Sequence, residues 1–75
     1  MRDEIRWLIN TLCKEAITKD GLAQELADLA DQDSQNGNHR RAEGMRNLSR
    51  HHRVISMQTR AQIAALVVEY AHLFR

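Results

Sequence analysis

Ser34-Gln35-Asn36-Gly37-Asn38 is the stretch that decides the fold. It holds five polar residues in a row, with Asn-Gly at its centre. Asn and Gly both tolerate a left-handed backbone, and Asn38 has the side chain of a helix cap. Patterns of helical period flank the stretch on both sides. A short polar link between two such patterns describes a tight antiparallel helical hairpin.

Upstream, residues 21–33 place Leu22, Leu26 and Leu29 along one edge, with Ala23, Ala27 and Ala30 beside them. A row of small residues lets a second helix approach closely. Gln24, Glu25, Asp28 and Asp31 take the opposite face, so this is the clearest amphipathic helix of the chain. Further upstream, residues 2–17 carry a second stripe: Ile5, Leu8, Ile9, Leu12 and Ala16. Thr18-Lys19-Asp20-Gly21 reads as a mild break between the two, with Asp20 able to accept backbone N–H groups and Gly21 able to turn. A single long, kinked helix is the alternative. Trp7 lies off the stripe, either packed at its edge or serving as an anchor for a partner.

Downstream, residues 39–53 set Ala42, Met45, Leu48 and His52 on one face and Arg46, Arg50 and Arg53 on another. Gly44 costs this helix about 1 kcal/mol relative to alanine, which would be explained by a backbone passing close by. Val54-Ile55 read as an exit staple, and Ser56 or Thr59 as the cap of a last helix reaching Phe74. That helix has a broad apolar face of Ile63, Leu66, Val67, Tyr70 and Phe74, and a second of Ala64, Val68 and Ala71. A helix apolar around most of its girth is central or meets another subunit. The expectation is therefore an all-α single domain over residues 1–75. It would be a small bundle of three to four short helices around a central antiparallel hairpin. Ile63, Leu66, Val67, Tyr70 and Phe74 would form a homodimer interface that completes a core too thin to stand alone.

Size and composition restrict the rest. The chain has 75 residues, 43% hydrophobic and 28% charged, which is enough apolar material to exclude disorder. It has one cysteine, Cys13, so an intrachain disulfide framework is excluded. No apolar run approaches the roughly 20 residues a membrane span needs, and the charged opening Met1-Arg2-Asp3-Glu4 does not resemble a signal peptide. A soluble, cytoplasmic protein with a reduced thiol is expected. Net charge is +1, but residues 1–34 carry −4 and residues 35–75 carry +5. Two halves of opposite sign attract each other, within the chain or between chains.

Chemistry finds few footholds. His39, His51, His52 and His72 include no pair at zinc-ligand spacing, and Cys13 has no partner cysteine. Cys13 also lacks a neighbouring base to activate it, and no glycine-rich phosphate loop is present. No cofactor, no metal and no enzymatic activity are expected. The arginines hold more promise. Residues 39–53 contain five of them with a single acid. They have three readings: pairing with the acids of the preceding helix, contact with a protein partner, or binding along a nucleic-acid backbone. Near-neutral net charge, few aromatics and a turn too polar and too long for an ordinary helix-turn-helix weigh against the last. The leading expectation is a module that binds and regulates a larger protein through Arg46, Arg50 and Arg53, with Arg41 and Trp7 beside them. The alternative is a nucleic-acid-binding regulator using the same arginine-rich helix.

Residues 26–48 carry an Ala/Leu-rich acidic helix and then Gly37, His39, Ala42, Met45 and Leu48 at helical spacing. This stretch resembles the N-terminal helical hairpin of some bacterial and phage AAA-type ATPases. The chain has no Walker motif and no room for an ATPase domain, so the resemblance implies a docking module without a motor. The small helical build also looks like that of phage or prophage accessory proteins, which act by occupying a host protein.

Overall fold

The computed structural model describes residues 1–74. Two α-helices account for nearly all of it: α1 (Arg2–Gln35) and α2 (His39–Glu69), followed by a short 3₁₀ turn over Ala71–Phe74. The helices pack antiparallel along their full length, giving a rod 55 Å long and about 15 Å across. At about 1.5 Å per residue, each helix alone runs most of the rod's length.

The hairpin reverses as the polar stretch dictates. Gly37 takes a φ of 81°, the left-handed conformation that ends a helix. The Asn38 N–H donates to the Asp33 carbonyl (2.7 Å) and the Gly37 N–H to the Ser34 carbonyl (3.2 Å), the paired bonds of a Schellman motif. Asn38 is the residue that precedes α2, but its side chain makes no capping bond. The cap expected of it is not formed.

The other expected breaks are absent, so the chain has two long helices where three or four short ones were expected. Thr18 turns its hydroxyl back onto the Lys14 carbonyl (2.9 Å), a bond made inside a continuing helix. Gly21 sits in helix with open space around it. Val54 and Ile55 lie in the middle of α2 and staple no exit. Ser56 and Thr59 cap nothing: they are 2% and 8% exposed and sit between the helices.

Those two residues belong to a register that continues without interruption. In α1 the buried and half-buried positions Ile5, Ile9, Leu12, Ala16, Lys19, Ala23, Leu26, Ala30 and Asp33 follow one another at alternating steps of four and three. In α2 the same steps connect Ala42, Met45, Ser49, His52, Ser56, Thr59, Ile63, Leu66 and Tyr70. Such a four-three alternation is the seam of an antiparallel coiled coil. Its fully enclosed positions are small: Ala16, Ala23, Ala30 and Ala42 are 0% exposed. Small side chains allow close approach. Accordingly, the Ser49 hydroxyl reaches across the seam to donate to the Ala23 carbonyl at 2.7 Å.

The alanine row was expected to admit a second helix, and it does. The leucine edge beside it was expected to be core, and it is only partly so. Leu22 and Leu29 stay 38% and 44% exposed. The hairpin thus buries small residues and leaves many of its large ones outside.

Gly44 has no heavy atom within 4 Å of where a Cβ would stand, so no close backbone explains it. Gly44→Ala should therefore raise stability by about 1 kcal/mol through helix propensity alone. Urea denaturation measures this, and a loss of stability would show a constraint at Gly44 that the packing lacks.

Candidate interaction surface

The seam divides the rod into two unlike flanks. Successive helical residues are about 100° apart. The residues just after Met45, His52 and Thr59 therefore lie on one side of the seam. Those just before Ser49 and Ser56, and before Ala23 and Ala30, lie on the other.

The first flank is a ladder of arginines. Arg46 donates to the Ser34 hydroxyl (2.9 Å) and stands 3.6 Å from an Asp31 carboxylate oxygen. Arg53 reaches Gln24 Oε1 at 3.5 Å, and Arg60 donates to Asp20 Oδ2 at 2.6 Å. These three rungs, seven residues apart, fix which turn of α2 faces which turn of α1. Each adds little stability by itself, because exposed pairs are screened. Asp20 has the richest set of partners. The nearby Ser56 hydroxyl and the Arg60 guanidinium favour its charged form and hold the carboxyl below the usual aspartate range.

That shift has a measurable consequence. A carboxyl with a depressed folded-state pKa stabilises the fold above its unfolded value, near 3.9. This contribution is lost as pH falls through the folded pKa. Melting temperatures between pH 5 and 2, as approximate bounds, should fall more steeply for the wild type than for Asp20→Asn. Parallel curves would show that the Asp20 rung carries no linkage.

The second flank is apolar near the turn. Leu22 and Leu29 on α1 and Leu48 and Ile55 on α2 line it, with Leu48 52% exposed. Toward the termini Glu15, Gln62 and Glu69 interrupt it, and beyond Glu15 a groove is lined by Leu8, Leu12, Ala65 and Leu66. Arg41 Nε, 3.2 Å from Asp33 Oδ2, closes the flank at the turn.

The middle of the rod and its termini end expose further large side chains. Trp7 is 68% exposed on the outer face of α1, Val68 is 79% exposed, and Ile17, Met57 and Val67 are also open. Phe74 lies under two cations, the Arg2 and Arg6 guanidinium carbons each standing 5.9 Å from its ring centre.

The residues singled out from sequence separate into different places. Arg46 and Arg53 turn inward to α1, and Arg41 turns to Asp33. Arg50 points away and bonds only to Asn47 of its own helix among the described contacts. Trp7 lies at the other end of the rod, so the five do not form one patch. Ile63, Leu66 and Tyr70, expected to meet a second copy, are half-buried and continue the seam against α1. Val67 lies on the arginine flank, and Phe74 closes over Arg2 and Arg6. The sequence reading missed Arg60 and Ser49, and took Asp20 and Ser56 for helix caps. The signal was present: Arg46, Arg53 and Arg60 repeat every seven residues, as do Ala42, Ser49, Ser56 and Ile63.

His52 lies half-buried in the seam with Nδ1 buried and without a hydrogen-bond partner. Cys13 is a half-buried free thiol. Among the described residues, no group of three or more His, Cys, Asp or Glu stands close enough to hold a metal ion. None of the helices described is long and apolar enough to cross a membrane. The fold and surface together define a two-helix antiparallel hairpin with one ion-paired and one apolar flank. No family model, curated protein or solved structure matches the chain.

Proposed function

We propose that this protein is a helical docking module that binds a larger protein partner inside the cell and regulates it by occupancy rather than by chemistry. The observation that carries the reading is the inversion of size across the surface. Alanine and serine hold most of the fully enclosed seam positions, while Trp7, Ile17, Met57, Val67 and Val68 face outward. Exposed apolar side chains of this size are contacts that a partner would cover. Trp7 is the natural anchor, since buried tryptophans dominate interface energetics, and Arg50, which makes no contact to α1 among the described bonds, can meet an acidic partner group. The likeness of residues 26–48 to an ATPase-associated hairpin, and the look of a phage or prophage accessory protein, fit such a role.

Cross-linking in native cells, followed by mass spectrometry, should recover a discrete partner with the wild type. Trp7→Ala should reduce its recovery at least tenfold, the effect of losing a hot spot of about 1.4 kcal/mol or more. Undiminished recovery with both Trp7→Ala and Arg50→Ala, each still helical, would overturn the reading. The nucleic-acid alternative has lost weight. Three of the arginines that could track phosphates are engaged with Ser34, Asp31, Gln24 and Asp20. It would return if the protein bound duplex DNA with a steep salt dependence.

A further inference from the structure

We propose that the flank carrying Leu22, Leu29, Leu48 and Ile55 is covered by a second copy of this chain, the two hairpins lying side by side with their turns at the same end, to make a four-helix bundle. This face differs from the one the composition of the last helix indicated, and the proposal stands independently of any larger partner.

The first argument is the width of the apolar stripe. A helix with one neighbour needs two apolar positions per heptad, and a helix in a bundle needs a third beside them. In the half nearer the turn, both helices carry that third position: Leu22 and Leu29 on α1, Leu48 and Ile55 on α2. Both stripes overhang the seam toward the same side. They converge on one face two helices wide, the complement of an identical face. The opposite flank is closed to this use, because its arginine rungs already bridge α1 and α2.

Area supports the same occupant. The whole flank, 55 Å long and 15 Å wide, offers on the order of 800 Å², which is what a standard interface buries on each partner. Roughly half of it, on the turn side, is apolar, and the remainder would form a polar rim. A self-complementary face closes as a twofold dimer and leaves no further edge for growth.

The relative orientation follows from where the patch lies. The Ser49–Ala23 bond sets Leu48 and Leu22 at one level, and Leu29 lies two turns closer to the hairpin tip. Ile55 borders Thr18 and Lys19 near the middle. The patch is therefore off-centre. With the rods in full overlap, which the area above requires, a twofold axis across the rod would set Leu22 and Leu48 against Glu15 and Gln62 of the other copy. A twofold axis along the rod sets leucine against leucine, so the turns lie together.

The test uses the native chain carrying one nitroxide per copy, attached at Asn36→Cys in a Cys13→Ala background. Asn36 is exposed at the turn and has an ordinary φ of −87°. Helices in such a bundle lie about 8–10 Å apart. Label-to-label distances are thus expected within about 30 Å, allowing for helix diameters and label arms. Light scattering should give twice 8.7 kDa at micromolar concentration. Leu22→Glu combined with Leu48→Glu should weaken the dimer at least about a hundredfold. A monomeric wild type overturns the proposal. So do labels near 50 Å apart, roughly the length of the rod, and a double variant that is still folded and fully dimeric. Should the double variant unfold, the label distance on the unsubstituted flank decides.

Discussion

Ala23→Leu should lower the unfolding free energy by about 3 kcal/mol, toward the top of the range for overpacked cores. Ala23 is 0% exposed, and its own carbonyl accepts the Ser49 hydroxyl at 2.7 Å. Three added carbons have nowhere to go unless the helices separate. Separation stretches the Ser49 bond and leaves a buried hydroxyl unsatisfied, at a further cost of about 1–3 kcal/mol. Helix propensity does not enter, because alanine and leucine are both strong helix formers. For a domain whose total stability is on the order of 5–10 kcal/mol, this is a large fraction. Urea denaturation of both proteins measures it, and a change under about 1 kcal/mol would show that the seam is looser than its alanines indicate. Truncating the neighbour, Leu22→Ala, should cost the isolated hairpin much less, since Leu22 is already 38% exposed.

The contrast between Ala23 and Leu22 also shows how much of this fold can be read from the sequence. The reversal at residues 34–38 was legible because Asn-Gly has a specific backbone conformation, and Gly37 adopts it. The all-helical class was legible from the period of the apolar residues. The length of the helices was not, because Thr18, Asp20, Ser56 and Thr59 suit either a cap or a narrow seam. A hydroxyl satisfies a helix end and a close helix crossing equally well, and only the register decides between them. That register was obscured by its own composition. Seam positions filled by Ala16, Ala23, Ala30, Ala42, Ser49 and Ser56 have little hydrophobic contrast, whereas Leu22, Leu29 and Leu48, one residue away, make a stronger apolar signal on a neighbouring edge.

The candidate surface was legible to a similar degree. Pairing between the basic segment and the acidic helix could be foreseen from charge, and Arg46, Arg53 and Arg41 do turn toward α1 residues. Of the acids that hairpin geometry sets against the basic segment, Glu25, Asp28 and Asp31, only Asp31 meets an arginine among the described pairs. Gln24 and Ser34 carry no charge and Arg60 lies outside the basic segment, so those rungs had no charge signal. Once the rungs are occupied, the charged flank is closed and the apolar one is left open. A chain that needed only a hairpin could have kept Leu22, Leu29 and Leu48 in the seam beside Leu12, Leu26 and Leu66. Placing alanine there and leucine beside it stabilises a close pair of helices and moves the larger apolar area to a second interface. Oligomerisation is a usual way for a core this small to gain stability.

Gly21 gives the second large effect, because two substitutions at that position should act in opposite directions. In a loop between two helices, proline at the first helical position is well tolerated and often favoured. In the middle of a continuous α1 it removes an N–H from the ladder and drives its ring into the carbonyl one turn back, costing about 3 kcal/mol or more. Gly21→Pro should therefore be strongly destabilising. The loss should extend beyond one turn, since a kink there shifts Asp20 from Arg60 on one side and Gln24 from Arg53 on the other. Gly21→Ala should do the reverse, adding about 1 kcal/mol, because open space surrounds the position. Circular dichroism and thermal melts of the two variants against wild type separate the alternatives. A stable, fully helical Gly21→Pro protein would mean that α1 is two helices, that the four-three register is interrupted at residue 21, and that the leucine flank is not one continuous face. A large loss with proline and a gain with alanine would establish the unbroken helix on which the arginine ladder and the leucine flank both depend.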